Sequence, residues 1–95
     1  MTVRKIALYT LILDFRGGTY VKQVEGCSPG SAIVEFAEQI NISEIPGIGT
    51  PEKQSLIEQL KDEIPTPLDG RINAWCVTAL LDDSLVLINI VQTER

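Results

Sequence analysis

The chain contains few side chains that could carry out acid-base, nucleophilic or metal chemistry. Histidine is absent, which removes the commonest general base, the commonest metal ligand and the usual partner of a nucleophilic serine or cysteine. Of the two cysteines, Cys27 directly precedes a predicted helix, where the positive potential of a helix N-terminus favours a thiolate. A reactive thiol at Cys27 is one hypothesis. The favoured alternative is a small residue that fills a corner between a strand and a helix.

The acidic residues show no arrangement typical of catalysis. Asp82-Asp83 falls in a predicted turn, Asp62-Glu63 at a predicted helix end, and Asp69 in a predicted loop. Paired carboxylates that perform acid-base catalysis need a shared cleft with opposed environments. The chain also lacks Cys-x-x-Cys pairs and calcium-loop spacing. We therefore predict a protein that is not an enzyme and has no metal and no cofactor.

The loop from Asn41 to Lys53, NISEIPGIGTPEK, is the most motif-like segment of the chain, with Ile45 to Gly49 as its core. It resembles the helix-hairpin-helix family, whose Gly-hydrophobic-Gly turn binds a DNA phosphate through backbone amides at a helix N-terminus. The resemblance implies a phosphate-binding turn composed of Gly47, Ile48, Gly49 and Thr50. This sequence departs from the family at Lys53, where a small residue is usual, and it has no basic residue at Thr50 to Glu52.

The alternative for this segment is an ordinary turn that uses its glycines for positive φ. The formal net charge of -5 favours the alternative, because nucleic-acid binding depends on Lys and Arg side chains that neutralise phosphates. Nucleic acid therefore ranks below protein as the expected partner.

A second resemblance covers residues 17 to 40, where a Gly-Gly hairpin, a Tyr-Val strand and a Gly-Cys pair precede an amphipathic helix. This stretch resembles the start of HicB-type antitoxins, small regulatory domains that bind a toxin ribonuclease and often dimerise. The resemblance implies an antitoxin-like regulatory binding domain. The short strand which that family places before the helix is missing here, and a second helix is added.

Two predicted β-hairpins flank the chain. The first begins at Arg4, and a Gly17-Gly18 loop predicts Phe15 opposite Tyr20, because both glycines tolerate positive φ. The same register pairs Leu11 with Val24 and Leu13 with Lys22. The second hairpin spans Arg71 to Gln92 around an Asp82-Asp83 loop, and a three-residue loop is its alternative. With the two-residue loop, one side of this hairpin collects Trp75, Val77, Ala79, Val86, Ile88 and Ile90, and the other collects Ala74, Cys76, Thr78, Leu80, Leu87 and Asn89.

Two helices are predicted between the hairpins. Ser28-Pro29 and Thr50-Pro51 each combine an N-capping residue with a proline at the first helical position. Buried stripes follow at helical spacing: Ile33, Phe36, Ala37 and Ile40 in the first helix, and Leu56, Ile57, Leu60 and Ile64 in the second. The prolines at 65 and 67 end the second helix.

These elements predict one α+β domain over residues 1–95, in the order ββααββ. A four-stranded, mainly antiparallel sheet carries both helices on one face. The order of the strands is left open, as is an exchange of hairpins between two chains with residues 41–50 as the hinge.

The second face of this sheet is too apolar to be an ordinary solvent-exposed face. It carries the residues Ile6, Leu8, Ile12, Val21, Leu80 and Leu87. Because large exposed apolar patches are uncommon on monomers, we expect a homodimer, or a complex with another protein, through these six residues. A more strongly curled sheet that covers its own second face is the alternative.

The distribution of charge and hydropathy predicts where the protein resides. The N-terminus shows no charged-then-apolar leader with a cleavage site, and no uncharged run of about 18 residues occurs. We expect a soluble, cytoplasmic, acidic protein that does not associate with membranes.

Overall fold

The computed structural model describes residues 6–70 and 72–93, with two helices and five strands in the order ββααβββ. The strands are β1 (Ala7–Phe15), β2 (Gly18–Gly26), β3 (Thr66–Pro67), β4 (Ala74–Leu81) and β5 (Ser84–Thr93). The helices are α1 (Pro29–Gln39) and α2 (Thr50–Lys61), with a 3₁₀ turn at Ile42–Glu44 between them. The predicted α+β class is confirmed. The predicted start of the first strand at Arg4 and of the second hairpin at Arg71 lies outside the described residues.

All five strands form one antiparallel sheet in the order β2-β1-β5-β4-β3. The two hairpins join through β1 and β5, where Leu11 lies opposite Ile90. The two-residue strand β3, which the sequence did not predict, pairs Thr66 with Cys76 at the outer edge of β4. Proline at position 67 is compatible with this place because an edge strand can lack one amide donor.

The N-terminal hairpin turns one residue earlier than predicted. Its loop is Arg16-Gly17, with φ of 48° and 81°, so Phe15 lies opposite Gly18 and Leu13 opposite Tyr20. The predicted pairings of Phe15 with Tyr20, Leu11 with Val24 and Leu13 with Lys22 were therefore wrong by two residues. Gly18 lies in the strand opposite Phe15, and a Cβ there would lie 2.5 Å from the Tyr20 phenol oxygen, so the position favours glycine. A shift of two residues preserves the faces, so the predicted division into core and outer side still holds.

The C-terminal hairpin has the predicted two-residue loop. Asp82 and Asp83 adopt φ of 48° and 64°, and Leu81 pairs with Ser84. Positive φ at both loop positions matches the twist of the flanking strands. The side that carries Val77, Val86 and Ile88 is buried, as predicted.

The core lies between the sheet and the two helices. The predicted stripe of α1, namely Ile33, Phe36, Ala37 and Ile40, is buried. In α2, Leu56 and Leu60 are buried, whereas Ile64 is 86% exposed because the helix ends at Lys61. The predicted inclusion of Ile64 in that stripe was wrong; the residue before Pro65 is biased away from helical geometry. Among the described residues, no helix is long and apolar enough to cross a membrane.

Side-chain caps fix the start of each helix. In α1, the Ser31 amide donates to Ser28 Oγ at 3.1 Å and the Ser28 amide donates to Ser31 Oγ at 3.2 Å, which forms a reciprocal capping box. The second helix begins at Thr50 with Gly49 as its N-cap, one residue before the predicted cap. There the Gly49 amide donates to Glu52 Oε1 at 2.9 Å.

Candidate interaction site

The sheet has one face without helices, which we call the outer face. Residues on this face alternate along each strand with the core residues. The strand registers place on it Leu8, Thr10, Ile12 and Asp14 of β1; Thr19, Val21, Gln23 and Glu25 of β2; Ala74, Cys76, Thr78 and Leu80 of β4; and Leu85, Leu87, Asn89, Val91 and Thr93 of β5.

The structure brings five of the six predicted interface residues together on the outer face. Ile12 lies opposite Val21, and Leu87 lies opposite both Asp14 and Thr78. Val21 on β2 is 62% exposed and Leu80 on β4 is 60% exposed. Leu8, Ile12 and Leu87 are half-buried by their neighbours in the sheet. The sixth residue, Ile6, precedes β1 and is exposed.

Two further apolar residues, Leu85 and Val91, belong to the same surface and were not predicted for it. Leu85 is 58% exposed and lies opposite Leu80, and Val91 lies opposite Thr10. Both share the strand phase of Leu87, so the alternation of β5 contained the signal that places them on this face.

Polar groups on the outer face bond mainly to one another. Thr10 Oγ1 and Thr93 Oγ1 share a hydrogen bond across β1 and β5, and Gln23 Nε2 donates to Thr10 Oγ1 at 3.1 Å. Thr19 Oγ1 donates to Asp14 Oδ1 at 2.6 Å. The only charged side chains that the registers place on the face are Asp14 and Glu25, near opposite ends of the first hairpin. The middle of the face is therefore uncharged.

The outer face is large enough for a specific protein interface. Its four long strands contain eight to ten residues each. At the usual strand spacing and rise, they cover about 20 Å by 30 Å, or roughly 600 Å² in projection. Accessible area exceeds projected area because side chains corrugate the surface. A standard interface buries about 800 Å² per partner, so one outer face supplies an area of the required order.

The Gly47 turn lies elsewhere, between the 3₁₀ turn and α2. Gly47 has φ of 90°, and Ile48 is buried rather than presented to solvent. The Ile48 amide donates to the Ile45 carbonyl at 3.1 Å, and the Gly49 amide donates to Glu52. A phosphate would have to displace the Glu52 carboxylate from the N-terminus of α2. Phosphate binding by Gly47, Ile48, Gly49 and Thr50 stays a prediction.

Two basic side chains near this turn have structural partners. Arg16 Nε donates to Ser84 Oγ at 3.0 Å, and its guanidinium lies 5.0 Å from the centre of the Phe15 ring. Lys53 Nζ donates to the Ile40 carbonyl at 3.0 Å, where α1 ends. Lys53 therefore connects the two helices at the position where the helix-hairpin-helix family has a small residue.

The two thiols lie on different parts of the molecule. Cys27 is exposed before α1, its amide donates to Ser31 Oγ at 3.1 Å, and Cys76 is half-buried on the outer face beside Asn89. Burial raises the pKa of the Tyr9 phenol above its usual value, and the negative charge of a Cys27 thiolate adds to this effect. Within residues 6–70 and 72–93, no three Cys, Asp or Glu side chains form a group that could hold a metal ion.

Comparison with protein families found no family model that matches the chain, and no match was found among curated proteins or among solved structures. The resemblances to helix-hairpin-helix proteins and to HicB-type antitoxins gain no support from these comparisons.

Proposed function

We propose that this protein is a non-enzymatic interaction module that forms a homodimer by packing the outer faces of two sheets together. The observation that supports the proposal is the outer face itself, which no helix covers. Its uncharged middle presents the apolar residues Ile12, Val21 and Val91 among the polar residues Thr10, Gln23 and Asn89. Exposed apolar side chains grouped on one surface are typical of interaction sites. Burial of apolar surface stabilises an interface by about 25 cal/mol per Å² before the costs of association are subtracted.

The composition of the face suits a second copy of the same chain. Face-to-face sheets pack about 10 Å apart with their strands within about 30° of each other. A two-fold axis near Asn89, in the central strand, would place the apolar side chains of each copy against those of the other. Asp14 and Glu25 would remain near the periphery, where water can solvate them.

Charge predicts how this dimer responds to salt. Each chain carries a formal net charge of -5, so two copies repel each other at long range. Salt screens that repulsion, whereas apolar contact does not depend on it. The dissociation constant of the homodimer is therefore expected to fall as ionic strength rises, the reverse of what nucleic-acid binding would show.

The test is the molar mass in solution, measured by size-exclusion chromatography with light scattering over a hundredfold range of concentration. We expect a mass near twice 10.5 kDa for the unaltered chain. Ile12→Lys places a charge in the uncharged middle of the face, and Leu87→Glu places a second carboxylate opposite Asp14. Both variants are expected to give monomers. Ile64→Lys is the matched control, because Ile64 is exposed but lies beside Trp75 at the helix side of the sheet.

Two results would overturn the proposal. One is a monomeric mass for the unaltered chain at every concentration and at high salt. The other is a dimer that Ile64→Lys weakens as much as Ile12→Lys does, since the interface would then lie elsewhere. Circular dichroism of each variant establishes that a change in mass is not caused by unfolding.

A further inference from the structure

The two edges of the sheet differ in whether their outward main-chain groups have hydrogen-bond partners. At the β4 edge, β3 occupies the first part, where the Leu68 amide donates to the Ala74 carbonyl at 2.9 Å. Further along, the side chain of Gln59 from α2 takes the place of a neighbouring strand. The Leu80 amide donates to Gln59 Oε1 at 2.9 Å, and Gln59 Nε2 donates to the Leu80 carbonyl at 2.8 Å. This edge is therefore closed at both ends to another strand.

The β2 edge has no such cover. In the ladder that starts from the Phe15–Gly18 pair, even-numbered residues of β2 exchange hydrogen bonds with β1. The odd-numbered residues Thr19, Val21 and Gln23 therefore direct their amides and carbonyls away from the sheet. All three residues are exposed, and among the described residues no backbone hydrogen bond occupies these outward groups. Proteins usually block such edges, because an open edge pairs with other extended chains.

A pocket of about 140 Å³ opens beside this edge, between β2 and the segment where α1 ends. Its apolar lining includes Tyr20, Phe36, Ile40 and Ile45. Val21 also lines it, although the Val21 side chain belongs to the outer face, so the main chain of Val21 must contribute. The pocket is therefore continuous with the open hydrogen-bonding edge. A cavity of about 150 Å³ can hold a benzene molecule, so this pocket has room for one branched aliphatic side chain.

We propose that β2 binds an extended peptide segment of another protein as an additional strand, with one aliphatic side chain of that peptide in the pocket. Strand addition of this kind gains affinity from main-chain hydrogen bonds and specificity from pockets that receive alternate side chains. Glu44 and Lys22 line the pocket, and Glu35 and Glu38 are exposed on the neighbouring α1, so carboxylates outnumber the single ammonium group. With a net charge of -5 on the chain, this environment favours Lys or Arg beside the aliphatic anchor.

A second copy of β2 would not fill the pocket. None of the β2 side chains that face the helices can serve as a free aliphatic anchor: Val24 is buried, the Tyr20 ring lies over Gly18, and Lys22 is exposed but charged. A partner peptide has free side chains at alternate positions. Peptide binding at the edge is separate from the homodimer that we propose for the outer face, and either can exist without the other.

The test begins with a phage-displayed library of random nine-residue peptides, selected on the immobilised protein at low salt. The strongest binder is synthesised, and its dissociation constant is measured by calorimetry. Each peptide amide is then N-methylated in turn. We expect N-methylation to lower the affinity about tenfold or more at every second position near the anchor and to change it little at the positions between, because only alternate amides face β2.

Two variants test the protein side. Val21→Pro removes one outward amide while leaving the hydrogen bonds to β1 intact. It is expected to raise the dissociation constant of the selected peptide at least tenfold. Val21→Ala is the matched control; it removes the same side chain but retains the amide, so it should bind within about threefold of the unaltered chain. Light scattering of both variants shows whether either substitution changes dimerisation, separately from its effect on the affinity for the peptide.

The proposal fails if selection yields no binder, if N-methylation shows no two-residue period, or if Val21→Pro binds the peptide as well as Val21→Ala does. The N-methyl scan uses only the unaltered protein, so it remains decisive even if Val21→Pro folds poorly.

Discussion

Removing the half-buried Gln59 side chain on α2 should destabilise the fold measurably. Its amide group makes two hydrogen bonds to the Leu80 main chain, at 2.8 and 2.9 Å, between residues 21 positions apart in the chain. Each such bond contributes about 0.5–1.5 kcal/mol net. Water can partly replace both at this accessible edge, so we expect Gln59→Ala to lower the free energy of unfolding by about 1.5 kcal/mol. For a domain of this size, that corresponds to a melting temperature lower by about 6–12 °C.

Urea denaturation followed by circular dichroism measures this loss, and Gln54→Ala is the matched control. Gln54 is exposed on the same helix, and the same substitution there cancels the difference in helix propensity between Gln and Ala. A second readout is the solubility of the variant, because Gln59→Ala opens the β4 edge to pairing with other chains. Equal stability of the two variants would show that the Gln59 bonds contribute nothing, and the account of edge closure given above would be wrong.

Two other predictions follow from local geometry. Gly47→Ala should cost about 1 kcal/mol more stability than Gly70→Ala, measured by the same denaturation. Both glycines have positive φ, but a Cβ at Gly47 would lie 3.2 Å from the buried Phe15 ring and 2.8 Å from the flexible end of Arg16, whereas a Cβ at Gly70 meets no atom within 4 Å. Equal losses would contradict this packing. Because burial raises the pKa of Tyr9, the folded state retains the phenol proton to a higher pH than the unfolded state does. Stability should therefore fall as pH rises above about 10, and absorbance titration of a Tyr20→Phe variant should show a single phenol with a raised pKa that Cys27→Ser lowers.

The predictable parts of the fold were those encoded by local alternation. The apolar phase of β5 and the helical spacing of α1 located the core, and the same alternation placed Ile12, Val21 and Leu87 on one face. The first turn was placed one residue late because two adjacent glycines satisfy the same φ requirement. The Tyr20 ring, which requires the second glycine inside the strand, is evident only when side chains are placed.

The features that sequence patterns could not reveal depend on long-range contact. The order of the strands follows from pairing β1 with β5, more than 70 residues apart in the chain, and no local pattern encodes such a choice. The same holds for Gln59, which resembles any other polar residue on the exposed side of an amphipathic helix. Its partner is a main-chain group at a sheet edge, and main-chain groups are identical in every sequence. The open β2 edge also depends on long-range pairing, because only the order of the strands determines which of them lies at an edge of the sheet.

The two proposed surfaces are compatible in one assembly. When two sheets pack face to face, their edges remain at the periphery, so both β2 edges of a homodimer would stay accessible to peptides. Such a dimer presents two peptide sites at a fixed separation and would bind a partner that carries two suitable segments more tightly than one, by raising the effective concentration of the second.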